Sequence, residues 1–335
     1  MNPLIASVVE QLRFGPDGVR IVSPLDDQLS HAIDPTRADD EAVRALSQFL
    51  YCHLYAACPQ LSRVWLHLNI SGLGRQLRDP VFILKLRAAN PGSGWLDPGW
   101  TVSGHEPGGY HVKKDGLSLF IEAAEPSHPP ALRTLVPVRF PSEVIDALPG
   151  FYIAHSDRGP VRSAGSTRIY LNLKAQTAPQ LIRDLLETLL GRGFRHTLKV
   201  VNNPTFFSRR DNCVLYVARS DFDAIAPLLL ELCRRHPGAL DCEVPAFTLR
   251  LRDGIGVADS PADEVDGSRP SFGQQRMHAL GTAMIEALAN GARSPHKLAE
   301  EILVGLASFG IDPDRPWLAT PTAPDYRLVP EVVSI

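Results

Sequence analysis

The chain has 335 residues, 44% of them hydrophobic, enough for two domains or one large one with ample core. A formal net charge of −3 gives no reason to expect a nucleic-acid or membrane-surface partner, so any basic cluster has to be a local feature. No uncharged apolar run reaches the roughly 18 residues that a membrane span needs, and the opening "MNPLIASVVEQLRFG" lacks the basic start and long apolar core of a signal peptide. A cytoplasmic location is expected, and the five unpatterned cysteines fit buried free thiols in a reducing compartment. Cys233, His236 and Cys242 lie close in sequence, but no second pair completes a zinc set.

Along the chain, "DDEAVRALSQFLYCHLYAAC" has a carboxylate start and apolar residues at three-to-four spacing, which predicts a helix over 40–58. "GLGRQL", Gly72 to Leu77, is not a full dinucleotide glycine motif, and no phosphate-binding P-loop or nucleophile-elbow motif occurs. "ANPGSGWLDPGW" and "AEPSHPPALRTLVP" read as loops, and the second sets a boundary between an N-terminal α/β region, 1–130, and a second domain, 131–335. Between them Asp115-Gly116 predicts a hairpin of Tyr110 to Lys114 with Leu117 to Ile121. In the second half, "STRIYLNLKA" predicts a strand with Ile169, Leu171 and Leu173 on an apolar face and Arg168, Tyr170 and Asn172 on the other. That second face reads either as wet or as the floor of an anion site.

A helix follows, with Thr177 as its cap and Gly191 as its stop. A strand over 194–201 carries Thr197 and Lys199 opposite Leu198 and Val200, with His196 packed on the apolar side. After the loop "NNPTFFSRRDN", the strand Cys213 to Ala218 is its expected hairpin partner, and a helix with Pro227 near its start comes next. Ser271 and Ser294 are the expected caps of the last two helices, the first of which sets Arg276 near its positive end. The β-α-β-β-α order predicts an α+β fold, a mixed, largely antiparallel sheet flanked by helices.

Arg168, Lys199, Arg209, Arg210 and Arg276 thus lie on or beside these elements. Guanidinium groups grip phosphate oxygens through paired hydrogen bonds, so a phosphate monoester suits the set. One of Arg209 and Arg210 pairs with Asp211, and Tyr216 is either core or site-lining.

"STRIYLNL", "LKVVNNPTFFSRRDNCVLYV", "VPAFTLRLRDGIGVADSP" and "SFGQQRM" resemble, in this order, the HopA-type effector domain as found in the lyase of class V lanthipeptide and thioamitide biosynthesis. The resemblance runs from about Phe151 to Leu288. That family is distantly similar to effector phosphothreonine lyases and to the lyase domains of lanthipeptide synthetases, which carry a Lys-x-His pair on one strand, a lysine on a following strand, and phosphate-holding arginines. Laid on this sequence, the pair falls on Arg168-Ile169-Tyr170, the second lysine on Lys199, and the arginines on Arg209 or Arg210 and on Arg276. Tyr170 stands where the relatives have a histidine acid; His111 and His278 are the alternative acids. The resemblance implies β-elimination of phosphate from phosphoserine or phosphothreonine in a precursor peptide, with Lys199 as base, Tyr170 as acid and no metal or organic cofactor. It also implies a separate kinase as partner, because no kinase motif is present here; the size of the N-terminal region and its lack of chemistry give the expectation that it recognises the leader peptide, the kinase, or both. The competing expectations are a non-catalytic phosphopeptide- or partner-binding protein and a type III effector.

Overall fold

The computed structural model describes residues 2–15, 18–37, 39–61, 77–122, 130–145, 147–161, 165–261 and 271–326. Gly72 to Gln76 of the glycine stretch and Glu125 to Pro129 of the boundary stretch lie outside these residues.

Seven described α-helices are α1 (Pro3–Glu10), α2 (Asp40–Leu50), α3 (Pro80–Ala89), α4 (Ala178–Gly191), α5 (Phe222–Arg235), α6 (Phe272–Ala289) and α7 (Pro295–Ser308). α2 continues into one π-helical turn, Tyr51–Tyr55, closed by the Ala56 N–H donating to the Tyr51 carbonyl at 2.8 Å. Strands β1 (Leu12–Gly15), β2 (Gly18–Ser23) and β3 (Asp26–Ile33) form a meander. β4 (Trp95–Glu106), β5 (Gly109–Lys114), β6 (Leu117–Glu122) and β7 (Leu135–Phe140) form a second sheet in the order β6-β5-β4-β7. The central sheet holds β8 (Glu143–Val144), β9 (Phe151–His155), β10 (Ser166–Leu171), β11 (His196–Val201), β12 (Cys213–Ala218), β13 (Leu249–Arg252) and β14 (Ile255–Asp259), ordered β13-β14-β10-β12-β11-β9-β8. Its pairings are antiparallel throughout, and the predicted hairpin of β11 with β12 forms. The fold is the α+β arrangement that the element order implies.

Both faces of the central sheet are buried. Ile169, Leu171, Leu198, Val200, Leu215 and Val257 pack with the apolar stripes of α4 and α5. On the other face Tyr170, Val214 and Ala258 join a second core built from α2, the π-turn, α6 and α7. The face of Arg168, Tyr170 and Asn172 is therefore not a wet one: these residues are 8%, 2% and 5% exposed. Asn172 is occupied structurally, donating to the Glu243 carbonyl and accepting from Asn212, each at 3.0 Å.

The boundary at 130/131 does not separate two cores. β7 lies beyond it, yet pairs with β4 from Trp95↔Phe140 to Thr101↔Leu135, because the apolar residues of "LVPVRF" complete that sheet's small core. Residues 95–100, read as loop from their prolines and glycines, form the start of β4 for the same reason. α1 and α2 in turn share the core of α6 and α7. Thr177 occupies its cap position, but its hydroxyl donates to the Lys174 and Ala239 carbonyls instead of accepting from the helix. Ser271 makes the full capping box with Gln274, and Ser294 caps α7. Four of the cysteines are buried; Cys242 is exposed.

α6 reaches the π-turn only because residue 273 is glycine: a Cβ there would overlap the Tyr55 ring. Gly273→Ala is expected to lower stability by about 1–3 kcal/mol through overpacking, measured by urea denaturation against the unsubstituted chain.

Candidate functional site

Sheet register assembles the site. On the face toward α6, Arg168 lies opposite Tyr216, which lies opposite Thr197; one step along, Tyr170 lies opposite Val214, which lies opposite Lys199. Tyr170 and Lys199 are thus two strands apart, about 10 Å between backbones, with their side chains on one face. The π-turn sets Tyr51 and Tyr55 over this face with ring centroids 5.2 Å apart. Tyr55, Tyr170 and Phe272 form a triangle with 6.4 Å between each pair of centroids.

Lys199 is half-buried and, among the described residues, has neither a hydrogen bond nor an ion pair. Burial, followed by the Arg209 and Arg168 charges, drives its amine from an ordinary 10.5 down to about 7, with Asp211 opposing. Burial pushes the Tyr170 phenol up to about 12, against the pull of Arg168, so it stays protonated at neutral pH. The Tyr170 hydroxyl is buried without a hydrogen bond of proper geometry, although Tyr55 and Arg168 lie near enough to act on it. An orphaned buried donor of this kind marks a place that a ligand oxygen can satisfy.

The arginines divide. Arg168 donates from Nε to Ser260 Oγ at 3.1 Å and lies over the Tyr216 ring at 5.3 Å; no carboxylate pairs with it among the described residues. Arg209 is clamped by Asp211 through two bonds of 2.6 and 2.8 Å, with Tyr51 bonded to both partners. This identifies Arg209 as the partner of Asp211 that the sequence left open. Arg210 points away, toward Glu243 at 3.7 Å. Arg276, 2% exposed, donates to the Pro316 and Leu318 carbonyls at 2.8 and 2.6 Å and to Gln275 at 3.0 Å; burial lowers it to about 10. The structure therefore brings together Arg168, Tyr170, Lys199 and Arg209, sets Arg276 behind them as a backbone clamp, and leaves Arg210 outside. His278 stacks edge-on against Phe309, and His111 pairs with Glu106 on the second sheet, so neither sits with Lys199. His196 is packed as expected, bonded to the Phe194 carbonyl.

Residues 145–318, more than half of the chain, match the HopA1 effector protein family. The chain belongs to that family. The HopA1 match contains every group of the site except the π-turn tyrosines. Two solved structures are similar in part. The effector protein from Pseudomonas syringae pv. tomato strain DC3000 is 18% identical, with a TM-score of 0.41 over 75% of this chain and 83% of that one. The effector protein from Pseudomonas syringae pv. syringae strain 61 is 20% identical, with a TM-score of 0.37 over 51% and 63%. No curated protein matches.

Sequence reasoning missed Tyr51 and Tyr55 in this HopA1-family site, because tyrosines four apart on an amphipathic helix read as core. It also missed Ser260, which holds Arg168, and Phe151, which lies against Lys199. Among the described residues, no helix is long and apolar enough to cross a membrane.

Asp211 carries the negative charge against Arg209, which keeps it below the ordinary carboxylate range although burial pushes the other way. Asp211→Asn is expected to destabilise the protein by about 3–5 kcal/mol, because it strands a buried guanidinium; chemical denaturation checks this. Lys199 acts in the opposite sense. Its native pKa lies below that of the unfolded amine, so the unfolded chain binds more protons between about pH 7 and 10.5, and stability rises with pH across that window. Lys199→Met is expected to stabilise the fold, most below pH 7 and vanishingly by about pH 10.5, as read from unfolding curves over that range.

Proposed function

We propose that this protein is a phosphoserine/phosphothreonine lyase that eliminates phosphate from a phosphorylated precursor peptide, leaving dehydroalanine or dehydrobutyrine, beside a separate kinase that supplies the phosphate. The observation that carries this reading is Lys199: an amine near neutrality in its pKa, unpaired among the described residues, on the same sheet face as Arg168 and Tyr170.

The neutral Lys199 amine takes the Cα proton of the phosphorylated residue. The electrons of that C–H bond become the second Cα–Cβ bond, and the Cβ–O bond breaks with its pair going to phosphate. Arg168 faces the charge that develops on the leaving group, with Arg209 adding field from its clamped position. The Tyr170 phenol, protonated at neutral pH, supplies a proton to the departing oxygen. The step is redox-neutral and balances with these groups. The family's name marks its members as effectors, and the same groups would serve an effector whose substrates are phosphorylated proteins.

The test is mass spectrometry of a phosphorylated peptide incubated with the pure protein. Elimination removes the elements of phosphoric acid, one water more than hydrolysis removes. Lys199→Ala is expected to abolish this loss, by about 10³-fold or more, while phosphopeptide affinity changes little. Arg168→Ala is expected to weaken phosphopeptide binding by roughly 10- to 100-fold. Affinity that survives in a wild-type protein which eliminates nothing would instead mark a phosphopeptide-binding protein. Because the base must be unprotonated, kcat/KM should rise with pH through about 7 and then level.

A further inference from the structure

The Lys199 amine lies over an aromatic ring. Its Nζ lies 3.9 Å from the centroid of Phe151, and the guanidinium carbon of Arg209 lies 5.2 Å from the same centroid. Phe151 opens β9, two residues before Ile153, the residue directly opposite Lys199. Alternation therefore sets Phe151, Ile153 and Lys199 on one face. Asp211, the carboxylate that acts on Lys199, gives both oxygens to Arg209 and one of them also to Tyr51. It acts on the amine only at a distance, making neither a hydrogen bond nor an ion pair with it.

We propose that Phe151 is the positioning residue of Lys199: its ring face takes the place of a carboxylate, holding the side chain on the inner sheet face while leaving the nitrogen open to substrate. The inference rests on Lys199 being the base. A ring quadrupole attracts an ammonium without accepting a proton from it or engaging the lone pair of the neutral amine. A carboxylate in the same place would hold the proton tightly and raise the amine toward the range of ordinary lysines. An aliphatic wall would leave the ammonium only the more distant Asp211 charge to set against burial and the two neighbouring guanidiniums. Arg209, fixed by Asp211 against the same ring, keeps the ring in place.

The experiment titrates the Lys199 amine by NMR on lysine-labelled full-length protein, which needs no turnover, and pairs this with the pH–rate profile on a phosphopeptide. Phe151→Leu is expected to lower the midpoint of Lys199 by about one pH unit, to move the acid limb of kcat/KM by the same amount, and to reduce kcat about tenfold with KM little changed. Phe151→Trp, which keeps an aromatic face, is expected to hold the midpoint at or above that of the unsubstituted chain and kcat within about threefold. A folded Phe151→Leu protein whose Lys199 titrates as in the unsubstituted chain overturns the proposal. If the leucine variant does not fold, the tryptophan variant decides, and a midpoint about one unit lower overturns the proposal. A midpoint that moves as expected in a protein that never eliminates phosphate supports the hold of Phe151 on Lys199 and removes the lyase reading alone.

Discussion

Arg168, Lys199 and Arg209 lie on the inner face of a sheet whose two sides are both covered, and Asp211 is the carboxylate set among them. Arg209 has its carboxylate, but Arg168 and Lys199 have none among the described residues. Cations held out of water without one cost several kcal/mol each, so this face draws on stability. The two large apolar cores, one on each side of the sheet, are what offset it. Besides the Ser260 hydroxyl on Arg168 and the Tyr51 hydroxyl on Arg209, the remaining partners are rings: Tyr216 under Arg168, and Phe151 under Lys199 and Arg209. These hold charge in place without neutralising it. A dianion entering the face meets cations whose desolvation has already occurred during folding, which is the condition under which a charged site binds and stabilises developing charge strongly.

The same condition sets a limit on the chemistry. In the proposed reaction, a phosphate dianion beside Lys199 favours the ammonium and so works against its use as a base. Arg168 and Arg209 oppose this by neutralising the dianion and by repelling a proton on Lys199. The spacing seen here suits that division, since the register gives Arg168 and Tyr170 to β10 and Lys199 to β11, with β12 between them. On the proposed reading, a phosphate held near β10 would act on the amine across two strand spacings, which weakens its upward pull relative to direct contact.

Local signals were legible where the chain is governed by neighbours in sequence. The Ser271 cap, the Asp115-Gly116 hairpin and the β11–β12 pairing all follow from short-range rules. Alternation in "STRIYL" correctly separated Arg168 and Tyr170 from Ile169 and Leu171, but it reports only which residues share a face, not what covers that face. The covering core comes from α2, the π-turn and α6, brought together from distant parts of the chain, so its presence could not be read from the strand. The β4–β7 pairing across the expected boundary was illegible for the same reason: prolines and glycines mark where a chain turns, whereas the pairing depends on which turned segments complete a sheet.

Arg276 shows what residue type and motif order leave undecided. A buried guanidinium suits two phosphate oxygens and two backbone carbonyls alike, and here it takes the Pro316 and Leu318 carbonyls. The adjoining segment is held again by Asp259, which accepts from the Ala319 N–H at 3.0 Å and from the Tyr326 hydroxyl at 2.5 Å. Asp259 sits between Ala258, the residue opposite Arg168, and Ser260, the residue that accepts the Arg168 Nε bond. Arg276 thus reaches the candidate site through structure: it fixes the segment that fixes Asp259, and with it the strand end that aims Arg168. In the proposed reaction a guanidinium committed to backbone carbonyls acts on how well the site is formed, and on the field at Tyr170 and Arg168, whereas Arg168 is the one left to meet the phosphate.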